Sequence, residues 1–172
     1  MLIRPTRHDE ASLLPVIETA AGNLFRGLPE LAWLADEAPT SVTEHERRIE
    51  AGLSWVAVDD DAENRIVGFL IAEAHTETLH IEELSVHPEA QRRGVGAALL
   101  QRAIEEAERG GYAAATLTTF LDVPWNGPFY RRNGFEDLQE EELTEGLRAV
   151  LDAERAAGLP MTRRGAMRRR MG

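Results

Sequence analysis

The spacing of apolar positions changes several times along the chain, and each change marks a new element. Leu2 to Arg4 begins a short strand that Pro5 limits. Leu13, Leu14, Ile17, Ala20, Ala21 and Leu24 then recur at helical spacing, which predicts an amphipathic helix from about Glu10 to Arg26 with Asp9 as its N-cap. Gly27 to Pro39 reads as a loop carrying Leu28, Leu31, Trp33 and Leu34, and Ser41 or Thr43 caps a second helix ending at Gly52. Ser54 to Val58 and Arg65 to Ala74 read as a hairpin whose turn holds Asp59, Asp60, Asp61 and Asn64. Leu79 to Val86 is the next strand, followed by a helix from Gly94 to Arg109 with Val95, Leu99, Ala103 and Ala107 on one line. Gly110 and Gly111 end that helix. Ala113 to Phe120 is a strand, Asn126 to Asn133 a short helix and Glu141 to Ala157 a longer one. Arg163 to Arg170 returns as the last strand, with Ala166 and Met167 among its arginines as on a charged edge.

Strands interleaved with helices in this order predict an α/β (α+β) fold, a mixed sheet flanked by helices on both faces. At 172 residues the chain reads as one domain, 1–172. With no cysteine it has no thiolate nucleophile, disulfide or thiolate metal ligand. The Asp59 to Asp61 run lacks the glycine and terminal glutamate of a calcium loop and reads as a solvated hairpin tip, so no metal is expected. The first residues do not resemble a signal peptide and no apolar run reaches the ~18 residues of a membrane span, so a cytoplasmic protein without a membrane partner is expected. A net charge of −11 argues against general nucleic-acid binding; it reads first as acidity that keeps the protein in solution, and second as a match to a cationic substrate.

The chemistry concentrates at Gln91-Arg92-Arg93-Gly94-Val95-Gly96-Ala97, a glycine-rich turn between a strand and a helix. The first N–H groups of a helix lack partners within it, and the macrodipole adds partial positive charge, so phosphate oxygens are natural ligands there. Gly94 and Gly96 let the backbone approach a pyrophosphate, and Arg92 and Arg93 offer charge for further phosphates. A Walker loop would need a lysine, and the chain has none. A dinucleotide fingerprint would need a third glycine and an acid after the next strand, and neither is in place.

This segment resembles the acyl-CoA loop of the GNAT superfamily of N-acetyltransferases: Gln or Arg, two residues, Gly, one residue, then Gly or Ala. Gln91, Gly94 and Gly96 meet it. Upstream, Glu83 to Glu89 resembles the family's fourth strand and the turn leaving it. Downstream, Asn126-Gly127-Pro128-Phe129-Tyr130-Arg131-Arg132-Asn133-Gly134-Phe135 resembles its second signature, and one helix plus one strand separates the two blocks. The likeness is close from Leu79 to Phe135 and elsewhere extends to element order. It implies a mostly antiparallel, twisted GNAT-like sheet and an acetyl-CoA-dependent N-acetyltransferase.

The resemblance also implies roles. The backbone N–H of Leu84 would hold the acetyl oxygen, and Ser85 and Val86 would run beside the pantetheine arm. Gln91, Arg92, Arg93, Gly94, Val95, Gly96 and Ala97 would hold the pyrophosphate, and Asn126 would bond the arm. Relatives place a base two or four residues before the oxyanion donor, which gives Glu82 first and His80 second, with proton removal by a water chain as the third reading; both residues share the Leu84 side of the strand, with Ile81, Glu83 and Ser85 on the other. A carboxylate beside an apolar cleft becomes a better base near neutral pH, whereas an imidazole already titrates there. Tyr130 matches the tyrosine that protonates the departing thiolate. Phe25, Arg26 and Trp33 fall where the family lines its acceptor site. The expected acceptor is a primary amine of a small molecule or peptide, attacking directly in a ternary complex; an acyl-CoA sensor without catalysis and a protein N-terminal acetyltransferase are the other readings, and a homodimer is left open.

Overall fold

The computed structural model describes residues 1–61 and 63–172. Seven strands, β1 (Leu2–Pro5), β2 (Ser54–Asp59), β3 (Arg65–Ala74), β4 (Thr78–Val86), β5 (Ala114–Phe120), β6 (Glu136–Asp137) and β7 (Arg164–Arg170), form a sheet in the order β1-β2-β3-β4-β5-β7-β6. β4 and β5 are parallel, while β1 with β2, β2 with β3, β5 with β7 and β6 with β7 are antiparallel. Five α-helices accompany them among the described residues: α1 (Leu14–Gly22), α2 (Val42–Glu50), α3 (Val95–Arg109), α4 (Gly127–Arg132) and α5 (Glu145–Ala156). This is the mixed, mostly antiparallel α/β architecture predicted. Two compact units divide the chain, Met1–Glu73 with Glu83–Ala103, and Ala74–Glu82 with Ile104–Gly172.

In the first unit Leu14, Ile17, Val56, Val58, Phe69 and Ile71 form a buried cluster. The first helix differs from its predicted course. A 3-10 segment, His8–Leu13, precedes α1 and another, Asn23–Gly27, follows it. The N-cap is Arg7 rather than Asp9, because the Glu10 carboxylate reaches back 2.8 Å to the Arg7 N–H and is gripped by the Arg4 guanidinium. Pro15 has no N–H to continue the ladder, and α winding starts beside it. The change of winding turns Leu13 outward, 48% exposed, and leaves Leu14 buried. Ser41 caps α2 by accepting from the Glu44 N–H at 3.1 Å. Gly68 of β3 lets α3 lie close: a Cβ there would stand 3.3 Å from both Val95 and Leu99.

In the second unit the predicted long helix begins later. Glu140–Glu142 form a 3-10 turn and Thr144 caps α5, accepting from the Leu147 N–H at 3.2 Å. β7 is not an edge strand, since the unpredicted two-residue β6 pairs along its outer side. Its arginines and the one just before it are paired locally: Arg163 with Asp122, Arg164 with Glu154, and Arg168 with Glu136 and Glu142. Arg169 donates to the Asn133 carbonyl at 3.0 Å. Opposite charges and a carbonyl partner let an arginine-rich strand sit inside a sheet.

Candidate active site

The glycine-rich turn has the shape an anion requires. Arg92 has φ +61° and Gly94 +78°, so left-handed residues flank Arg93 and curl successive N–H groups into a concave nest. The Ala98 N–H makes the bond back to Gly94 at 3.0 Å, which leaves the N–H groups of Val95, Gly96 and Ala97 ahead of the helical ladder. No side chain or backbone stands within 4 Å of where a Gly94 Cβ would project, so the approach is open. Gln91 holds the loop to its strand, its Nε2 donating to the Val86 carbonyl at 3.1 Å. Arg92 is exposed and available for an anion.

Arg93 carries an ion pair that the local sequence does not announce. Its Nη1 donates to Oδ2 of Asp59 at 2.9 Å, and this bond together with the charge of the pair raises its own pKa and lowers that of Asp59. The pair uses Nη1 of a guanidinium whose side chain is 44% exposed. Asp59 is correspondingly no solvated hairpin tip; it closes β2 with its side chain buried.

Along β4, His80, Glu82 and Leu84 alternate with Ile81, Glu83 and Ser85, as the strand period demands. The Ser85 hydroxyl is buried and donates to Oε1 of Glu83 at 2.8 Å, linking the two polar side chains on that side. Glu82 is half-buried. His80 is 4% exposed, lies 3.0 Å from the Thr116 hydroxyl through Nδ1, and stacks on His75 with ring centroids 4.9 Å apart. Burial first, and then the neighbouring His75, push its pKa down to about 4 against the opposing pull of Glu82 and Glu154. The expectation that His80 titrates near neutrality is therefore corrected: it is a neutral imidazole at pH 7. Thr116 and His75 were missed in the sequence, although the alternation of Thr116 and Thr118 along β5 marks a polar face.

Tyr130 lies in the middle of α4, 8% exposed, edge-on to Phe129 and Phe135 at 5.1 and 5.9 Å. Asn126 sits at the N-cap of α4 without capping it; its Nδ2 donates to the Trp125 carbonyl at 3.2 Å. Gly127 is obligatory, since a Cβ there would lie 2.3 Å from the Leu121 carbonyl oxygen. Gly134, φ +88°, ends the helix.

Phe25 and Arg26 lie on the 3-10 turn after α1, and Trp33, 39% exposed, lies on a second such turn, Ala32–Asp36. Arg26 ties the two turns, donating to Asn23 at 3.1 Å and to Asp36 at 2.8 Å. Glu18 fastens the far end of this segment by accepting from the N–H and hydroxyl of Thr40 at 2.6 and 2.8 Å. No group of His, Cys, Asp and Glu among the described residues is arranged to hold a metal ion, and no described helix is long and apolar enough to cross a membrane.

Residues 50–137, from the end of α2 to β6, match a model of the acetyltransferase (GNAT) domain. The chain belongs to the GNAT acetyltransferase family. Solved structures carry the same fold over the whole chain. Rv2747 from Mycobacterium tuberculosis, in complex with CoA, is 15% identical with a TM-score of 0.72, covering 100% of both chains. The PaiA N-acetyltransferase from Thermoplasma acidophilum, in complex with coenzyme A, is 15% identical with a TM-score of 0.71 over 99% of this chain and 98% of its own. The ribosomal-protein-S18-alanine N-acetyltransferase from Escherichia coli is 17% identical, TM-score 0.65, over 99% of this chain and 94% of its own. At such identities these structures share the fold.

Proposed function

We propose that residues 1–172 act as one acetyl-CoA-dependent N-acetyltransferase domain that acetylates a primary amine of a small molecule or peptide. The observation that carries this reading is the nest at Arg92–Gly94, which opens onto the free N–H groups of α3 with Arg92 beside it. The pyrophosphate of acetyl-CoA binds there, on Gln91 to Ala97, with Leu84, Ser85, Val86 and Asn126 serving the pantetheine arm. The amine attacks the thioester carbonyl directly while the Leu84 N–H steadies the oxyanion. Glu82 takes the ammonium proton, the C–S bond breaks, and Tyr130 returns a proton to the thiolate. His80, neutral and held by Thr116, contributes shape and polarity beside Glu82 and is the weaker base. Phe25, Arg26 and Trp33 contact the acceptor. The reading places the protein in the cytoplasm.

Incubation with acetyl-CoA and a panel of amino acids, polyamines and short peptides, followed by mass spectrometry, tests it. Acetylated product from at least one amine is expected. Acetyl-CoA binding with no product from any amine would favour the sensor.

A further inference from the structure

The β2–β3 hairpin is joined to the acyl-CoA loop by two ion pairs, both within the first unit. Arg93 donates to Oδ2 of Asp59 at 2.9 Å, and Arg65 donates to Glu89 at 3.0 Å, just before the loop. Asp59 is itself fixed, because its other oxygen accepts from the Asp61 N–H at 3.1 Å. The next residue, Asp60, receives the N-terminal ammonium at 2.8 Å. Arg93 is the residue between the two left-handed positions, so holding its side chain restrains the peptide planes that form the nest.

We propose that Asp59 is a positioning residue for acyl-CoA binding, acting through Arg93 to keep the nest in its anion-binding shape. The inference rests on the reading that CoA occupies this loop. It makes a claim opposite in sign to simple electrostatics. A carboxylate close to a polyphosphate repels it, so removing that charge would by Coulomb's law tighten binding. A bracing role predicts the reverse, because the nest loses its shape when Asp59 releases Arg93.

Calorimetric titration of acetyl-CoA into the wild type, Asp59→Asn, Arg93→Gln and the double variant decides between them. Asp59→Asn keeps an oxygen for the Asp61 N–H but turns an amide toward Arg93. Each single variant is expected to weaken binding by about tenfold, and the double variant by no more than either, since both break one brace. Arg93→Lys is expected to restore most of the affinity, and the salt dependence of binding to stay that of the wild type in all variants. Tighter or unchanged binding by Asp59→Asn, with weaker binding and reduced salt dependence for Arg93→Gln, would overturn the proposal and make Arg93 a direct phosphate ligand. Should Asp59→Asn fail to fold, Arg93→Gln and Arg93→Lys carry the test alone, through the salt dependence and the rescue. A folded wild type that does not bind acetyl-CoA would remove the underlying reading, and the brace with it.

Discussion

His80 of β4 and Thr116 of β5 face each other in the parallel ladder, and Nδ1 of one lies 3.0 Å from the hydroxyl of the other. The imidazole is buried and stacked on His75, and it directly precedes Glu82 in the strand's alternation. Under the proposed mechanism, a ring that resists protonation suits Glu82 as proton acceptor, because no cation competes with the incoming ammonium for the carboxylate.

Burial of this ring, with His75 against it, makes stability depend on pH. His80 falls from an ordinary value of 6.5 to about 4 in the folded chain. The unfolded chain therefore binds an extra proton between these values, and the folded state is fully stable only above pH 6.5. Stability drops as pH falls toward 4, by about 3 kcal/mol in all. Chemical denaturation of the wild type and His80→Gln at pH 7 and pH 4.5 should show the wild type losing about 2 to 3 kcal/mol of its advantage. A gap that stays constant would mean that His80 is protonated without penalty.

Gly94→Val should cost CoA affinity at least about a hundredfold, because it forces a β-branched residue into φ +78° and fills the open approach to the nest. Gly111→Val supplies a matched control, with φ +75° at the end of α3. Both variants should lose some thermal stability, and only Gly94→Val should lose binding in calorimetry. Equal affinity in the two would place the phosphate site elsewhere.

Gly127→Ala should lower stability by about 2 to 4 kcal/mol, since the added Cβ meets backbone atoms of Leu121 at 2.3 to 2.8 Å and neither backbone can yield cheaply. Gly22→Ala, with open space around it near the end of α1, should be neutral or mildly stabilising. Thermal melting distinguishes them, and a shared Tm would show that Leu121 moves aside freely.

Much of this was legible in the chain because periodicity and turn chemistry agree where packing is regular. β3 spans Arg65–Ala74 as predicted, and α3 starts within one residue of its predicted start. The failures lie where tertiary partners override local pattern. Asp59 looked like one of three solvated acids because nothing local announces that Arg93, thirty-four residues away, will bury it. β6 holds only two residues, too few for an alternation, and without it β7 reads as an edge. The α1 region is broken by Glu10 and Pro15, whose effects on winding a helical spacing count does not register. The depressed pKa of His80 depends on burial and on His75, which the strand pattern places on no shared face.

Tyr130→Phe tests the departure of the thiolate. The ring contacts with Phe129 and Phe135 should survive, so the fold and acetyl-CoA affinity should hold. Turnover should fall about tenfold or more while the rise of rate with pH persists, because only the acid is lost. An unchanged rate in a thiol-release assay would remove Tyr130 from proton transfer.

The most direct measurement is the rate of CoA thiol release from acetyl-CoA against pH, with the amine panel, for the wild type and Glu82→Gln. Amine-dependent release by the wild type is predicted, falling about 10² to 10⁴-fold in Glu82→Gln with acetyl-CoA affinity kept, and recovering only as rising pH supplies free amine. Full activity in Glu82→Gln, or wild-type release that ignores the amine, would contradict the account.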